Sequence, residues 1–305
     1  MSSSTGTLAV SQRRLGVLTK ARDFVELTKP RIAVLVLVVV AASGIAAAWG
    51  TANPWALFHA ALGTLLVAGS ASAANQWLER HRDARMNRTQ DRPLPAGRLS
   101  VAEVLAFTVI TLACGIAYLM LTVGGIPTLW AVTSWLLYVI AYTPLKPLSS
   151  VNTMVGAVAG ALPVFIGWTA TGQALDIRAA ALFLTLFLWQ FPHFMAIAWI
   201  YREDYARGGY QMLSVVDPTG RRAGVQAVLS AAALIPVSAI PALTAPGWGG
   251  PLYLIVVTLL GLLQLVVAGM FLLEINRHSA RRLLLMSLVY LPVLLVLLML
   301  VPWIR

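Results

Sequence analysis

An acidic motif closes the second long apolar run of the chain, in the segment Asn75-Gln-Trp-Leu-Glu79-Arg-His-Arg-Asp83. At about 100° per residue, a helix through this segment places Asn75, Glu79 and Asp83 on one face. Their amide and carboxylate oxygens suit a hard cation such as Mg²⁺, which the C-terminal end of a helix also favours. The motif predicts a metal site, although an ordinary charged helix end at a membrane interface is an equal interpretation of these residues alone.

A basic, proline-containing loop follows the acidic motif, with arginines at positions 82, 88 and 92. Guanidinium groups match phosphate oxygens in geometry and charge, so Arg82, Arg88 and Arg92 are candidates for binding a diphosphate. Such a loop on its own indicates only which side of a membrane it occupies. Its position beside the carboxylates favours the phosphate hypothesis.

A second acidic motif closes the sixth apolar run, in Tyr201-Arg202-Glu203-Asp204-Tyr205-Ala-Arg207-Gly208-Gly209-Tyr210. Carboxylates from two helices around divalent cations, with arginines nearby, form a suitable site for a diphosphate. We therefore expect Glu203 and Asp204 to ligate metal together with the first motif, Arg202 to contact diphosphate, and Tyr201 to take part in catalysis.

Two further elements lie close to these motifs in the predicted topology. Tyr142-Thr-Pro-Leu-Lys146 precedes the fifth apolar run, and we expect both Tyr142 and Lys146 to contact diphosphate. Glycines at 156, 160 and 167 are better explained by close helix packing than by chemistry. His193 follows Pro192 inside an apolar run, where it is a candidate haem ligand; a hydrogen bond to a carbonyl freed by the proline is the simpler interpretation.

Nine apolar runs of spanning length carry these motifs. The sequence predicts an all-α membrane protein with helices at 32–50, 55–78, 101–122, 126–144, 151–171, 178–200, 223–244, 251–273 and 282–303. We divide the chain into an N-terminal segment, 1–30, and one membrane domain, 31–305.

The basic residues lie almost entirely on one side of this predicted topology. They precede the first helix or lie between helices 2 and 3, 4 and 5, 6 and 7, and 8 and 9, whereas only Arg178 and Arg305 fall opposite. The positive-inside rule then places the N-terminus and both acidic motifs in the cytoplasm. A bacterial inner membrane with a cytoplasmic-side active site fits this arrangement.

Composition agrees with a lipid environment. The 305 residues are 59% hydrophobic and 11% charged, with a mean hydropathy of +0.81. The formal charge of +11 would suggest nucleic acid in a soluble protein, but here the cations flank apolar runs and meet lipid headgroups. We therefore expect the bilayer as a partner and no nucleic acid. Cys114 is the only cysteine, which excludes an intramolecular disulfide.

The motifs resemble those of the protoheme IX farnesyltransferases. Three segments carry the resemblance: Asn75-x-x-x-Glu79-x-x-x-Asp83-x-x-Met86-x-Arg88-Thr89-x-x-Arg92-Pro93, Tyr142-Thr-Pro-Leu-Lys146, and Phe191-Pro-His193-Phe with the second acidic motif through Leu213. That family is similar to the wider UbiA-type prenyltransferases, in which nine helices surround a central cavity. Glu79 stands where the wider group usually has Asp, and Tyr201 and Tyr205 stand where relatives that prenylate aromatic rings carry acids.

The resemblance implies transfer of a farnesyl group from farnesyl diphosphate to a vinyl group of haem b, giving haem O, with Mg²⁺ as cofactor. In that reading Asn75, Glu79 and Asp83 hold one metal-diphosphate contact, and Glu203 and Asp204 hold the other. A haem A synthase or a terminal oxidase assembly is a candidate partner.

Three other functions remain open from the sequence. A prenyltransferase for another lipid or aromatic acceptor, such as a quinone precursor, belongs to the same class. A secondary transporter also has many helices, but its polar site lies near the bilayer midplane rather than at one face. A non-catalytic assembly factor for an oxidase is the third.

Overall fold

The computed structural model describes residues 19–244 and 249–304. Within these ranges nine helices are long and apolar enough to cross a membrane. We number them α1 to α9: Pro30–Ala47, Pro54–Asp83, Val101–Thr122, Gly125–Leu145, Asn152–Ala170, Ile177–Ile200, Arg221–Leu243, Gly249–Leu273 and Arg277–Trp303. Each coincides with a predicted helix, so the predicted all-α, nine-helix architecture is confirmed.

The largest differences from the predicted bounds occur at polar helix ends. Helix α2 continues to Asp83 rather than ending at 78, and α9 begins at Arg277 rather than at 282. Both extensions are polar and lack the apolar signal used to place a span, but helical hydrogen bonding does not require that signal. At the start of α9, the Asn276 side chain accepts hydrogen bonds from the backbone N–H of His278 and Ser279, which caps the additional turn.

Most of the predicted N-terminal segment, 1–30, lies outside the described residues, as does Arg305. Of that segment, residues 19–27 are helical. The Gln76 side chain of α2 donates to the carbonyl of Leu27 at 3.0 Å, and this fixes the segment against the C-terminal half of α2. Lys29 then lies between this short helix and Pro30, the first residue of α1.

Helix α4 changes its winding as it approaches the site. Residues Gly125–Leu136 are α-helical, Leu137–Tyr142 form a π-helical turn, and Thr143–Leu145 complete the span. Pro144 has no N–H to donate to the carbonyl four residues earlier, so a regular α-helix cannot continue unchanged through this point. The Thr143 hydroxyl donates to the carbonyl of Tyr138 at 2.8 Å. A wider turn of this kind rotates Tyr142 and the following Lys146 relative to a straight helix.

The backbones of α1 and α5 approach closely at glycines. A Cβ added to Gly167 would lie 2.0 Å from the carbonyl oxygen of Val40 and 2.2 Å from the Ser43 hydroxyl. One added to Gly160 would lie 2.4 Å from the Gln190 side chain of α6, and one at Gly156 would lie 2.7 Å from the Tyr142 ring. The predicted packing role of these three glycines is confirmed.

Gly167→Ala is therefore expected to lower the free energy of unfolding by about 1–3 kcal/mol, because the methyl group can fit only if α1 moves away from α5. Thermal unfolding of the purified protein in detergent measures the effect. Gly269→Ala in α8 is the matched control, since a Cβ there meets nothing within 4 Å. Equal melting temperatures for the two variants would contradict the close packing of α1 on α5.

Candidate functional site

Three oxygen-bearing side chains line one face of the C-terminal end of α2. Asn75, Glu79 and Asp83 are 1%, 6% and 1% exposed, so each is removed from bulk solvent. Buried carboxylates require charged or hydrogen-bonding partners. A simple charged helix end would leave such side chains in water, whereas these three lie inside the protein.

Each of these three side chains has one cationic partner, and the three partners come from different parts of the chain. Lys29 donates from Nζ to Asn75 Oδ1 at 2.8 Å, and Lys146 Nζ contacts Glu79 Oε1 at 2.7 Å. Arg92 Nη1 contacts Asp83 Oδ2 at 2.6 Å. The segment before α1, the α4–α5 loop and the α2–α3 loop therefore meet at one face of α2. We call Asn75, Glu79, Asp83, Lys29, Lys146 and Arg92 the cation–acid cluster.

Tyrosines surround the ammonium group of Lys146. Its Nζ lies 4.4 Å from the ring centroid of Tyr142 and 5.9 Å from that of Tyr210, distances at which ring faces attract a cation. Burial opposes the charge on Lys146, but the Glu79 carboxylate outweighs that effect and holds the pKa of Lys146 well above its ordinary value. The lysine therefore stays protonated, as a phosphate ligand must be.

Two members of the site, Lys29 and Tyr210, are not among the site residues predicted from the sequence. Lys29 was counted only as a topology signal, yet its ammonium lies inside the cluster. Burial, followed by repulsion from Arg92 and Lys146, lowers the pKa of Lys29 from 10.5 to about 7. Tyr210 is 3% exposed, and its buried hydroxyl has no hydrogen-bond partner. Its position within the second acidic motif was the only available signal.

The second acidic motif meets the loop that follows α2. Asp204 Oδ1 accepts a hydrogen bond from the backbone N–H of Asn87 at 3.1 Å and also contacts Arg207. Arg82 donates to the carbonyls of Gly208 and Gly209, each at 3.0 Å. The C-terminal ends of α2 and α6 thus lie side by side, as expected from the sequence.

Arg88 is held between two aromatic rings of the second motif. Its guanidinium carbon lies 5.0 Å from the ring centroid of Tyr201 and 5.5 Å from that of Tyr205, and Nη2 donates to the Tyr205 hydroxyl at 3.3 Å. These tyrosines occupy positions where relatives that prenylate aromatic rings carry acids. Here they position an arginine instead.

Two candidate residues do not join the others. The Glu203 side chain is 83% exposed, and its nearest ionic partner is Arg202 at 3.9 Å. The Arg202 guanidinium lies 4.6 Å from the ring centroid of Trp199, away from the cation–acid cluster. The structure therefore brings Asp204, but not Glu203 or Arg202, into contact with the loop after α2.

The donor set suits a hard divalent cation only in part. Within the described residues, no three His, Cys, Asp or Glu side chains are grouped so that they could hold a metal ion by themselves. Asp83 Oδ1 is nevertheless buried and has no hydrogen-bond partner among the described residues, and it lies one turn beyond Glu79 on the same face of α2. Two carboxylates with one amide fit a Mg²⁺ ion whose remaining ligands are phosphate oxygens and water.

His193 lies deeper in α6 and contacts α9 rather than a freed carbonyl. Its Nδ1 is 2.9 Å from the hydroxyl of Ser287, and that hydroxyl donates to the carbonyl of Leu284 at 2.6 Å. A serine hydrogen used in this way leaves Nδ1 as the donor of the pair, so we assign the tautomer that is protonated at Nδ1. The expected bond to a carbonyl released by Pro192 is wrong, since a hydroxyl on the neighbouring helix supplies the partner.

The remaining ring nitrogen of His193, Nε2, makes no hydrogen bond to the residues that the structure describes. With Nδ1 protonated, Nε2 keeps its lone pair, which is the form in which imidazole binds a metal. Trp189 stacks on the ring at 5.0 Å and donates from its indole N–H to the carbonyl of Ser287 at 2.8 Å. The ring is therefore fixed in orientation from two sides.

The chain is similar to proteins of a known family. A model of the UbiA prenyltransferase family matches residues 35–301. The chain is 40% identical to a protoheme IX farnesyltransferase of Koribacter versatilis over 310 residues, which cover 98% of this chain and 99% of that protein. It is also 38% identical to a mitochondrial protoheme IX farnesyltransferase of Arabidopsis thaliana, over 90% of this chain and 63% of that protein.

Solved structures share the fold at low identity. A UbiA homologue from Archaeoglobus fulgidus bound to GPP and Mg²⁺ superposes with a TM-score of 0.67 and 15% identity, over 90% of this chain and 99% of that one. A structure from work on digeranylgeranylglyceryl phosphate synthase reaches a TM-score of 0.77 at 15% identity, over 93% and 99% of the two chains. At these identities the likeness concerns the arrangement of helices.

Proposed function

The chain belongs to the UbiA prenyltransferase family, and on that basis we propose that it transfers a farnesyl group from farnesyl diphosphate to a vinyl group of haem b. The products are haem O and diphosphate. Relatives that are 38–43% identical over most of this chain carry the name of that activity. The observation that carries the proposal is the meeting of two acidic helix ends, lined with lysine and arginine, at one end of a membrane-spanning bundle.

The diphosphate is proposed to bind between the cation–acid cluster and the end of α6. Bound Mg²⁺ would neutralise charge on the diphosphate and stabilise it as a leaving group. Asn75, Glu79 and Asp83 would hold that ion on one side and Asp204 on the other, with the exposed Glu203 able to join them only by reorienting. Arg88, Arg92 and Lys146 supply direct contacts to phosphate oxygens.

In the proposed reaction the bond between farnesyl C1 and the diphosphate oxygen breaks, and diphosphate leaves with the electron pair. The π electrons of the haem vinyl group form the new carbon–carbon bond to the allylic cation. Water then adds to the cation left on the former vinyl carbon and loses one proton, which gives a hydroxyethylfarnesyl chain. The apolar bundle excludes water from the allylic cation before the carbon–carbon bond forms.

The direct experiment combines purified protein in detergent with haem b, farnesyl diphosphate and Mg²⁺. Mass spectrometry should detect haem heavier by one hydroxyfarnesyl unit, and EDTA should abolish that product. A product formed only when a quinone precursor or another acceptor replaces haem b would assign the protein to a different prenyltransferase class. No product with any acceptor, from folded protein, would contradict an enzymatic role.

His193 is proposed to bind haem iron through Nε2, and Ser287 to hold the ring in position. Ser287→Ala should weaken haem binding by about 10- to 100-fold, as losses of hydrogen bonds behind a metal ligand commonly do. The KM for farnesyl diphosphate should stay unchanged. Titration of the protein with haem, followed by visible absorbance, measures the effect.

Ser230→Ala in α7 is the matched control, because that serine bonds only to the carbonyl of Gln226 in its own helix. Ser287→Thr keeps the hydroxyl and should restore much of the haem affinity. Equal haem affinities of wild type and Ser287→Ala would contradict the proposed histidine contact.

The protein is a multi-pass membrane protein, and its site is proposed to face the cytoplasm of a bacterium. The basic residues at the even-to-odd helix connections support this orientation. An enzyme that consumes haem O, such as a haem A synthase, or the assembly of a terminal oxidase is proposed as the downstream partner. Cysteine labelling from either side of the membrane, at single cysteines placed in the α2–α3 loop, tests the orientation.

A further inference from the structure

Lys29 occupies an unusual place in the cation–acid cluster. It is the residue before α1, and its backbone has φ of 52°, in the left-handed region that residues with a Cβ rarely adopt. The conformation is costly for a lysine followed by proline, so the surrounding contacts must maintain it. The side chain extends from there to the inner face of α2, where Nζ donates to Asn75 Oδ1 at 2.8 Å and to the Tyr138 hydroxyl at 3.5 Å.

With all three basic side chains protonated, the cluster has one cation more than it has carboxylates. Lys146 pairs with Glu79 and Arg92 with Asp83, whereas Lys29 contacts only the neutral oxygens of Asn75 and Tyr138. A partly buried ammonium without its own counter-ion is unfavourable, and the neighbouring cations repel it. The arrangement lacks one negative charge, which an anionic ligand would supply.

We propose that Lys29 is a diphosphate-binding residue, with its ammonium turning from the Asn75 amide oxygen to a phosphate oxygen when the substrate binds. The inference rests on the proposed function, because it requires a diphosphate at the cluster. Release of Asn75 Oδ1 in the same step frees that oxygen to ligate a cation. Lys29 thereby adds a contact from the segment before α1 to those supplied by the α2–α3 and α4–α5 loops.

Three substitutions at position 29 separate this binding role from a purely structural one. Lys29→Met removes both the charge and the hydrogen bond, and Lys29→Gln keeps a donor for Asn75 but has no charge. Lys29→Arg keeps both. Arg31→Met is the matched control, since Arg31 lies two residues away in the same basic segment and is exposed.

The measurements are the KM for farnesyl diphosphate, the KM for haem b, and the affinity for inorganic pyrophosphate with Mg²⁺ by calorimetry. We expect Lys29→Met and Lys29→Gln to raise the first KM and weaken pyrophosphate binding by about 10- to 100-fold, the usual range for one charged hydrogen bond. The KM for haem b should not change. Lys29→Arg should recover a large part of the loss, and Arg31→Met should match wild type.

Lys29→Gln values equal to wild type would overturn the inference, because a donor to Asn75 would then be sufficient. An equal rise in both KM values, with a lower melting temperature, would also overturn it and assign Lys29 a structural role. If Lys29→Met does not fold, the Gln and Arg variants decide. Failure of the proposed function itself is distinguishable, because wild-type protein would then fail to bind pyrophosphate or to form haem O.

Discussion

Asp83→Asn is expected to lower kcat for haem O formation by at least about 100-fold, within the range seen when one group that stabilises a charged transition state is removed. The substitution keeps the shape of the side chain but removes the charge that pairs with Arg92 and that the proposed metal ion would need. Asp83 is 1% exposed, and its Oδ1 has no hydrogen-bond partner in the protein. That free oxygen is the part of the site best suited to a cation.

Asp91→Asn is the control for this prediction. Asp91 lies in the same loop as Arg92, and it is exposed. Its removal should leave kcat within about twofold of wild type, as expected for surface substitutions away from the site. Mass spectrometric rates over a series of Mg²⁺ concentrations measure both variants. An Asp83→Asn enzyme with wild-type kcat and wild-type Mg²⁺ dependence would show that Asp83 is not a metal ligand.

Lys146→Met is the second change with a large expected effect, and it acts on both activity and stability. It leaves the buried Glu79 carboxylate without its partner, and breaking a buried ion pair in this way costs about 3–5 kcal/mol. Activity should also fall, because Lys146 is a proposed phosphate contact. Thermal unfolding in detergent and the rate of haem O formation are the two measurements.

The double variant Lys146→Met/Glu79→Gln separates the two effects. Removing both charges should recover much of the lost stability, because no carboxylate remains buried and unpaired. Activity should stay low, since both a phosphate contact and a metal ligand are missing. A double variant that is stable and also fully active would show that this ion pair is not part of the catalytic machinery.

The arrangement of spans could be predicted from the sequence because lipid imposes a simple rule. Each span needs roughly 20 apolar residues, and cations concentrate on one side. The hydropathy rule does not locate the end of a helix that protein, and not lipid, surrounds. In the polar turn from Glu79 to Asp83, the two acids are buried against loops and cations instead of lipid, so this turn is helical without any hydropathy signal.

The partners of individual site residues could not be predicted. Asn75, Glu79 and Asp83 are identifiable from their spacing, whereas Lys29 resembles every other basic residue before α1. Only the tertiary structure brings it 2.8 Å from an amide 46 positions away. His193 is similar, because its partner Ser287 is 94 residues distant. Contacts of this range depend on packing between helices, which local sequence patterns do not encode.

The sequence also predicted one metal ligand too many in the second acidic motif. Glu203 and Asp204 are adjacent, and both were expected to ligate metal. Neighbouring residues on a helix diverge by about 100°, so only one of them can face the α2–α3 loop. The structure gives that position to Asp204, which accepts the Asn87 N–H, and leaves Glu203 in solvent.

The central claim is that the ends of α2 and α6 hold one diphosphate between them through a shared cation. An experimental structure with Mg²⁺ and farnesyl thiodiphosphate, an analogue that resists ionisation, tests it most directly. We predict a diphosphate between Asp83 and Asp204, with Mg²⁺ about 2.0–2.1 Å from carboxylate and phosphate oxygens. A diphosphate bound elsewhere, with Asp83 still paired only to Arg92 and Asp204 only to Arg207 and Asn87, would contradict the claim.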